Sequence, residues 1–382
     1  MLCCVVEGIA LRLGRWWLLT AFTLLGAACA GPVSKLPALP KDAVEAERRL
    51  EQIAQIRKYY GELHRVDTVG FRIRTANRAD CKQWVSAQIG LYAATPQSLP
   101  KKYRSYSAEA LNLTWVRPTA ISVADGSPAA QAGIVTGDEI IALNGELIPV
   151  TGTAGWIGGW LKANGIKPVR VDMRRDSVNQ TVTVTPVMGC AIPVVYETID
   201  DANAFATNEK IVIYSGIVAL TRTDAQLALI IGHELAHANL GHLDKRKLNT
   251  VLGWVGGAIV DAGFATGGIS TGGTFQKEFV KTGALAFSVS FEREADYVGS
   301  YYAARAGYDL AGTEEVWRAL GQSHPDAIRL ATTHPTTPER FLQMRKVAAE
   351  IADKQRRLLP LVPELKIGEV QQYPPTASAS QF

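Results

Sequence analysis

The sequence predicts an α+β protein: a mainly helical domain with a small sheet, preceded by a β-rich domain and an N-terminal helix. Three observations carry this. Segments near 223–241 and 290–307 place polar residues at i and i+4 within apolar surroundings, the period of a buried helix. Between about Ser105 and Val187, short strand-like runs alternate with glycine turns. From Lys41 to about Val66, charges surround an apolar stripe of Val44, Leu50, Ile53 and Ile56. The 382 residues, 47% of them hydrophobic, suffice for two or three domains with packed cores. A formal charge of +4 without a basic, aromatic-interleaved cluster gives no support to nucleic acid as a partner.

In chain order, residues 1–30 read as a targeting segment. Arg12 and Arg15 precede an apolar run from Trp16 to Ala28, too short to span a bilayer as an ordinary helix. Ala28-Cys29-Ala30 offers a small-x-small cleavage site. The same stretch, LLGAAC, also reads as a lipoprotein signal with Cys29 acylated, although Gly26 stands where leucine is usual. Both readings export the mature chain and leave Cys81 and Cys190. Two cysteines in an oxidising compartment suggest one disulfide, the alternative being two buried thiols. Residues 31–104 comprise a proline-rich linker (Pro32 to Pro40), the Lys41–Val66 helix and a stretch with no functional reading beyond a cap or spacer. Residues 105–187 form the β-rich domain and 188–357 the helical one. Residues 358–382, rich in proline, serine and alanine, are expected to be a disordered tail.

Chemistry is concentrated in His233-Glu234-Leu235-Ala236-His237. Positions i and i+4 lie about 40° apart around a helix, so both imidazoles leave one face. Two convergent histidines make half of a zinc site, and Glu234 can reach the same metal's water as a general base. Thr223-Asp224-Ala225-Gln226 has the form of a capping box, Leu227, Leu229, Ile230 and Ile231 form a buried stripe, and Gly241 can close the helix. A third ligand is still needed. The metzincin spacing is absent, because Leu240 and Leu243 replace its glycine and histidine. Glu292 and Asp296 are again i and i+4, on a second helix running to about Gly307, with Glu294 on the opposite side. Glu292 can ligate while Asp296 accepts a ligand histidine's ring N–H; taken alone, such a pair would be a solvated face.

These residues resemble the HtpX-like and CAAX-prenyl-protease-like zinc metallopeptidases, and among them a periplasmic BepA-like branch. The matching stretch, roughly Ile192 to Lys346, includes GHELAHANLGH, FEREADYVGSYYAARAGYD and THPTTPER. The resemblance implies a zincin-type fold and a gluzincin-type endopeptidase holding one zinc ion per chain. It makes His233, His237 and Glu292 the ligands, Glu234 the base and Asp296 the acid behind a ligand. It also makes Asn203, Ala204, Phe205 and Ala206 the strand that holds a substrate peptide by backbone pairing. In Thr333-His334-Pro335, the proline biases His334 towards an extended loop. His334 is expected to approach the zinc, either as a latch on the resting enzyme or as an oxyanion donor; the alternative is a histidine capping a helix near Glu339-Arg340.

Residues 105–187 resemble a PDZ domain through ISVADGSPAAQAGIVTGDEIIALNGELI, with turns at Gly133 and Gly137-Asp138. A helix-like piece from Thr153 to Asn164 and the strands VRVDMRR and QTVTVTPV complete that order. Such domains bind extended peptides along a sheet edge. The carboxylate-binding loop is expected near Ala108–Leu113, although no glycine-rich loop stands there; a spacer that binds nothing is the alternative. Between the two catalytic helices, Leu252–Ile269 carries only Asp261 as a charge. It reads as a flap over the site or on a membrane surface, since its glycines and aspartate handicap a span.

The expectation is therefore a periplasmic or envelope-anchored zinc endopeptidase acting on misfolded or unassembled envelope proteins in quality control. Its PDZ domain would serve substrate recognition or regulation, and a lipid anchor or the apolar flap would associate it with the membrane. The alternative is a PDZ-based binding or chaperone-like envelope protein whose zinc site is closed. The chemistry rests on residues, the cellular role on resemblance and compartment.

Overall fold

The computed structural model describes residues 34, 36–113, 117–242, 274–323 and 338–364, with isolated positions between 244 and 271. The targeting segment, Cys29, His334 and the tail beyond 364 lie outside the described residues. The chain divides after Leu50. In the first unit, residues 36–50 are exposed and include the opening turns of α1 (Lys41–Ala76).

The second unit begins within α1, which buries Ile53, Ile56, Leu63, Val66, Val69 and Ile73. The helix passes the expected end at Val66 by ten residues. That extension contains Thr68, Val69, Gly70, Ile73 and Thr75, poor helix formers whose stiff or absent side chains weaken a sequence-based helix reading. Val69 and Ile73, both 0% exposed, show packing overriding propensity.

Beyond α1 come β1 (Val85–Gln88), β2 (Leu91–Ala94), α2 (Ser107–Leu111), β3 (Thr119–Val123) and α3 (Pro128–Gln131). They are followed by β4 (Glu139–Leu143), β5 (Glu146–Leu147), α4 (Thr153–Asn164), β6 (Val169–Arg175), β7 (Val178–Val184) and β8 (Val187–Cys190). An antiparallel sheet runs β2-β3-β4-β6-β7, with β5 paired to β4. Alternating Val169, Val171 and Met173 on β6 face an apolar core completed by Ile157, Trp160 and Leu161 of α4. The sheet takes its edge strand from Leu91–Ala94, ahead of Ser105, and 108–111 lies in the short helix α2. β1 pairs with β8, and a disulfide joins Cys81 to Cys190, Cα atoms 5.5 Å apart.

A second sheet is small: β9 (Val194–Glu197), β10 (Ala204–Ala206) and β11 (Ile211–Tyr214), ordered β10-β11-β9. The helices follow: α5 (Ser215–Leu220), α6 (Asp224–Asn239), α7 (Thr274–Arg305), α8 (Glu315–Ser323) and α9 (Pro338–Arg356). The mixed helix-and-sheet reading thus holds. α1 ties the parts together. Arg65 Nε donates to Asp224 Oδ1 (2.8 Å), Asn77 Nδ2 to the Tyr302 carbonyl (3.0 Å), and Asp125 N to Thr68 Oγ1 (3.1 Å). Between α6 and α7, Leu248, Trp254, Val255 and Ile259 are exposed. Among the described residues, no helix is long and apolar enough to cross a membrane.

Candidate active site

The site begins with a close helix crossing. A Cβ on Gly232 of α6 would stand 2.5 Å from the Gly299 carbonyl of α7, and one on Gly299 would stand 2.6 Å from His233 N. Only glycines allow the two backbones so near, and this approach sets His233 against the α7 face that carries Glu292 and Asp296. α6 itself starts at Thr223, whose hydroxyl accepts from Gln226 N (3.2 Å), while Gln226 Oε1 accepts from Arg222 N (2.7 Å). Its continuation breaks at Gly241, where φ is +66°, the left-handed conformation glycine adopts freely.

Ligand atoms of His233, His237 and Glu292 all lie within 4.8 Å of one another, and all three residues are buried. The two Nε2 atoms are 3.0 Å apart; Glu292 Oε1 is 3.2 Å from His237 Nε2 and Oε2 is 3.4 Å from His233 Nε2. Two imidazole nitrogens and one carboxylate converging on one point form a donor set that fits zinc with a position left for water or substrate. Glu234, adjacent in sequence, is 2% exposed.

Behind His233, Nδ1 is 2.9 Å from Asp296 Oδ1. Asp296 in turn accepts two bonds from Arg340 of α9, Nε to Oδ2 at 2.7 Å and Nη2 to Oδ1 at 2.8 Å. Arg340 Nη1 also reaches Glu292 Oε2 at 3.2 Å, and its guanidinium lies 4.5 Å from the Trp317 ring of α8. Burial alone would raise the Asp296 pKa, but the Arg340 charge and hydrogen bonds, helped by His233, hold it below the usual carboxylate range. Burial would lower His233, yet hydrogen bonds and charge from Asp296 and Glu292 outweigh it and push the metal-free imidazole up to about 10. His237 goes the other way, lowered first by burial.

His237 has a different support. Its Nδ1 is 3.0 Å from Nδ1 of His242, whose Nε2 is 3.0 Å from Glu294 Oε2. His242 is 2% exposed and stacks on Phe291 with ring centroids 4.6 Å apart. The sequence assigns His242 and Arg340 no role at the metal site and sets Glu294 on the far side of its helix, where it meets His242 rather than the ligand cluster. His242 lies five residues past His237, off the helical period, and only the left-handed turn at Gly241 brings it back. Arg340 stands within the THPTTPER string that carried the resemblance, but a sequence does not show which acid it meets.

Ala204, Phe205 and Ala206 form β10, an edge strand of the small sheet that packs on α6; Asn203 immediately precedes it and accepts from Tyr214 N at 3.2 Å.

Residues 191–348 match the model of peptidase family M48, and residues 120–175 match a PDZ domain. The mitochondrial metalloendopeptidase OMA1 of Arabidopsis thaliana is 32% identical over 136 residues, covering 34% of this chain and 26% of that protein. A beta-barrel assembly-enhancing protease of Escherichia coli is 30% identical over 170 residues, covering 40% of this chain and 33% of its own length. OMA1 of Schizosaccharomyces pombe is 23% identical over 175 residues, covering 43% and 50%. The chain thus spans between about a quarter and a half of the curated relatives it matches. Both resemblances hold: the chain carries a peptidase family M48 domain, with a PDZ domain ahead of it.

Proposed function

We propose that this protein is a zinc-dependent endopeptidase that cleaves peptide bonds in exported proteins. The observation that carries this is the convergence of His233 Nε2, His237 Nε2 and the Glu292 carboxylate beside Glu234. Zinc bound there supplies Lewis acidity to a peptide carbonyl and to a water molecule. Glu234 takes the proton of the attacking water and delivers it to the leaving amine. Asp296 fixes the His233 tautomer so that Nε2 faces the metal. The free side of β10, with Asn203, Ala204, Phe205 and Ala206, holds the substrate as an added strand, which keeps a scissile bond extended beside α6. His334 restrains the resting enzyme or donates to the oxyanion; His334→Ala speeds cleavage in the first case and slows turnover with zinc retained in the second.

The substrate class is misfolded or unassembled envelope proteins, in keeping with the leader-like N-terminus and with relatives named beta-barrel assembly-enhancing protease. The PDZ domain serves recognition or regulation. Cys29 acylation or a soluble periplasmic chain are separated by fractionation with carbonate and high salt. The test of the chemistry is metal analysis with casein cleavage, comparing wild type and Glu234→Gln. The variant keeps zinc and loses most cleavage. A wild-type protein that binds zinc yet cleaves nothing would favour a PDZ-based binding module with a closed zinc site.

A further inference from the structure

A strand at the edge of a sheet leaves backbone N–H and C=O groups unpaired, and natural sheets guard them with charge, proline, bulges or cover. The edges of this molecule differ in that respect. β2 faces α1 and β9 across a shared cavity, and its register with β3 shifts between Tyr92 and Ala93. β10 has three residues. β7 has seven, the longest edge strand among the described residues, and it pairs with β6 in unbroken register from Val178 to Val184. Its sequence, Val-Asn-Gln-Thr-Val-Thr-Val, contains no charge, proline or glycine. Val178 to Thr181 and Thr183 are exposed, Val178 at 59%.

The register decides which backbone groups of β7 face outward. Arg170 N donates to Asn144 Oδ1 and the Arg170 carbonyl accepts from Asn144 N, both at 2.8 Å, so this main chain points away from β7. In an antiparallel ladder that direction alternates from residue to residue. Val169, Val171, Met173 and Arg175 therefore bond to Val184, Val182, Gln180 and Val178. The N–H and C=O groups of Asn179, Thr181 and Thr183 point outward. The connection at Asp176-Ser177, both at positive φ, is the two-residue turn expected of such a hairpin.

We infer that β7 is a self-association edge, pairing antiparallel with β7 of a second copy of this chain about a two-fold axis at Thr181. That register is self-complementary. On one face Thr181 meets Thr181 and Asn179 meets Thr183, polar against polar. On the other, exposed Val178 meets Val184, which is buried in the PDZ core, and only Gln180 against Val182 mixes the two kinds. Asp176 falls opposite Pro186 and Arg175 opposite Val187, so no like charges meet. The outward residues of the two copies exchange about six hydrogen bonds. One strand pair buries less than the roughly 1,200 Å² of a standard interface, so the dimer is weak and forms as concentration rises. It joins two PDZ domains through one continuous sheet. The inference is independent of the peptidase reading, because β7 belongs neither to the zinc site nor to β10.

The experiment follows the full chain by sedimentation velocity from micromolar to several hundred micromolar. Wild type moves towards twice the chain mass across that range. Thr181→Pro removes an outward N–H that β6 does not use, so the hairpin folds, as circular dichroism checks, and self-association weakens at least about tenfold. Disulfide trapping then reads the register, with wild type treated alongside as the background. Thr181→Cys, on the two-fold, cross-links two copies of itself. Asn179→Cys alone does not, because the two copies of residue 179 stand about 14 Å apart, beyond disulfide reach. Mixed with Thr183→Cys, it does. A wild type that stays monomeric throughout overturns the proposal, as does self-association that Thr181→Pro leaves unchanged. Cross-links that form equally in every pairing overturn the register and with it the strand pair. Trapping of Thr181→Cys by an extended cysteine-containing peptide, but never by its own copy, would assign the edge to a client strand and overturn the second copy.

Discussion

His233 and His237 sit one turn apart on the same helix and converge on the same point, yet the molecule holds them by opposite means. Behind His233 stands a charged, sealed chain: Asp296 and Arg340 are each 1% exposed and joined by two hydrogen bonds. Behind His237 stands a relay that opens to solvent: the imidazole of His242 leads to the Glu294 carboxylate, whose side chain is 49% exposed. The first support is also part of the fold, because Arg340 anchors α9 against α7 and packs on Trp317. The second reaches solvent and can change without leaving a buried charge alone. One imidazole is locked by structure and the other is tuned from the surface.

The largest effect expected from this difference is that of Asp296→Ala. It leaves the Arg340 guanidinium buried beside Glu292 without the carboxylate that takes two of its hydrogen bonds, and removing one member of a buried pair costs about 3–5 kcal/mol. Denaturant unfolding and zinc content should fall together. A variant as stable as wild type would break the claim that this support is structural.

Protons distinguish the two imidazoles next. In the metal-free chain the folded-state pKa of His233 is raised to about 10, above its unfolded value. Its stabilising contribution is then complete below about pH 6.5 and fades as pH rises towards 10. His237 is lowered and stays neutral at pH 7. Zinc must displace the His233 proton, so calorimetry at pH 7–8 in buffers of different ionisation enthalpy should show about one proton released on binding. Release of none would remove the contrast.

A smaller effect is expected for His242→Gln. Partners behind ligand histidines are worth about 10–100-fold in metal affinity, so zinc competition should weaken within that range while unfolding stays near wild type. Smallest is Glu294→Gln, whose half-exposed carboxylate is screened by water and salt. Its affinity should change by less than that of His242→Gln and lose the difference at high salt. If Glu294→Gln exceeded Asp296→Ala in either measurement, the order of the two supports would be reversed.

What was legible in the sequence was whatever fits within one element. His233 with His237, and Glu292 with Asp296, are i,i+4 pairs whose helical period places them before any fold is known. The strand 169–175 was legible by alternation, as was most of 178–184, read as QTVTVTPV two to three residues late, and the metallopeptidase and PDZ assignments by long motif strings. What was not legible depends on chain reversals and tertiary meetings. His242 returns to His237 only through the left-handed turn at Gly241, and Arg340 meets Asp296 across 44 residues. β2 has four residues, too few for a convincing period, so the sheet's edge went to the wrong side of the 105–187 span. The last ten residues of α1 are helical because Val69 and Ile73 are buried, a fact of packing that their β-branched side chains conceal.

The most direct test of the centre is the zinc content of purified wild type, Glu292→Ala and Glu294→Ala, dialysed together and measured by mass spectrometry. With His233, His237 and Glu292 as the ligands, wild type and Glu294→Ala hold about one zinc per chain at saturation, and Glu292→Ala holds close to none. Full zinc in Glu292→Ala, or its loss only in Glu294→Ala, would contradict the site described above.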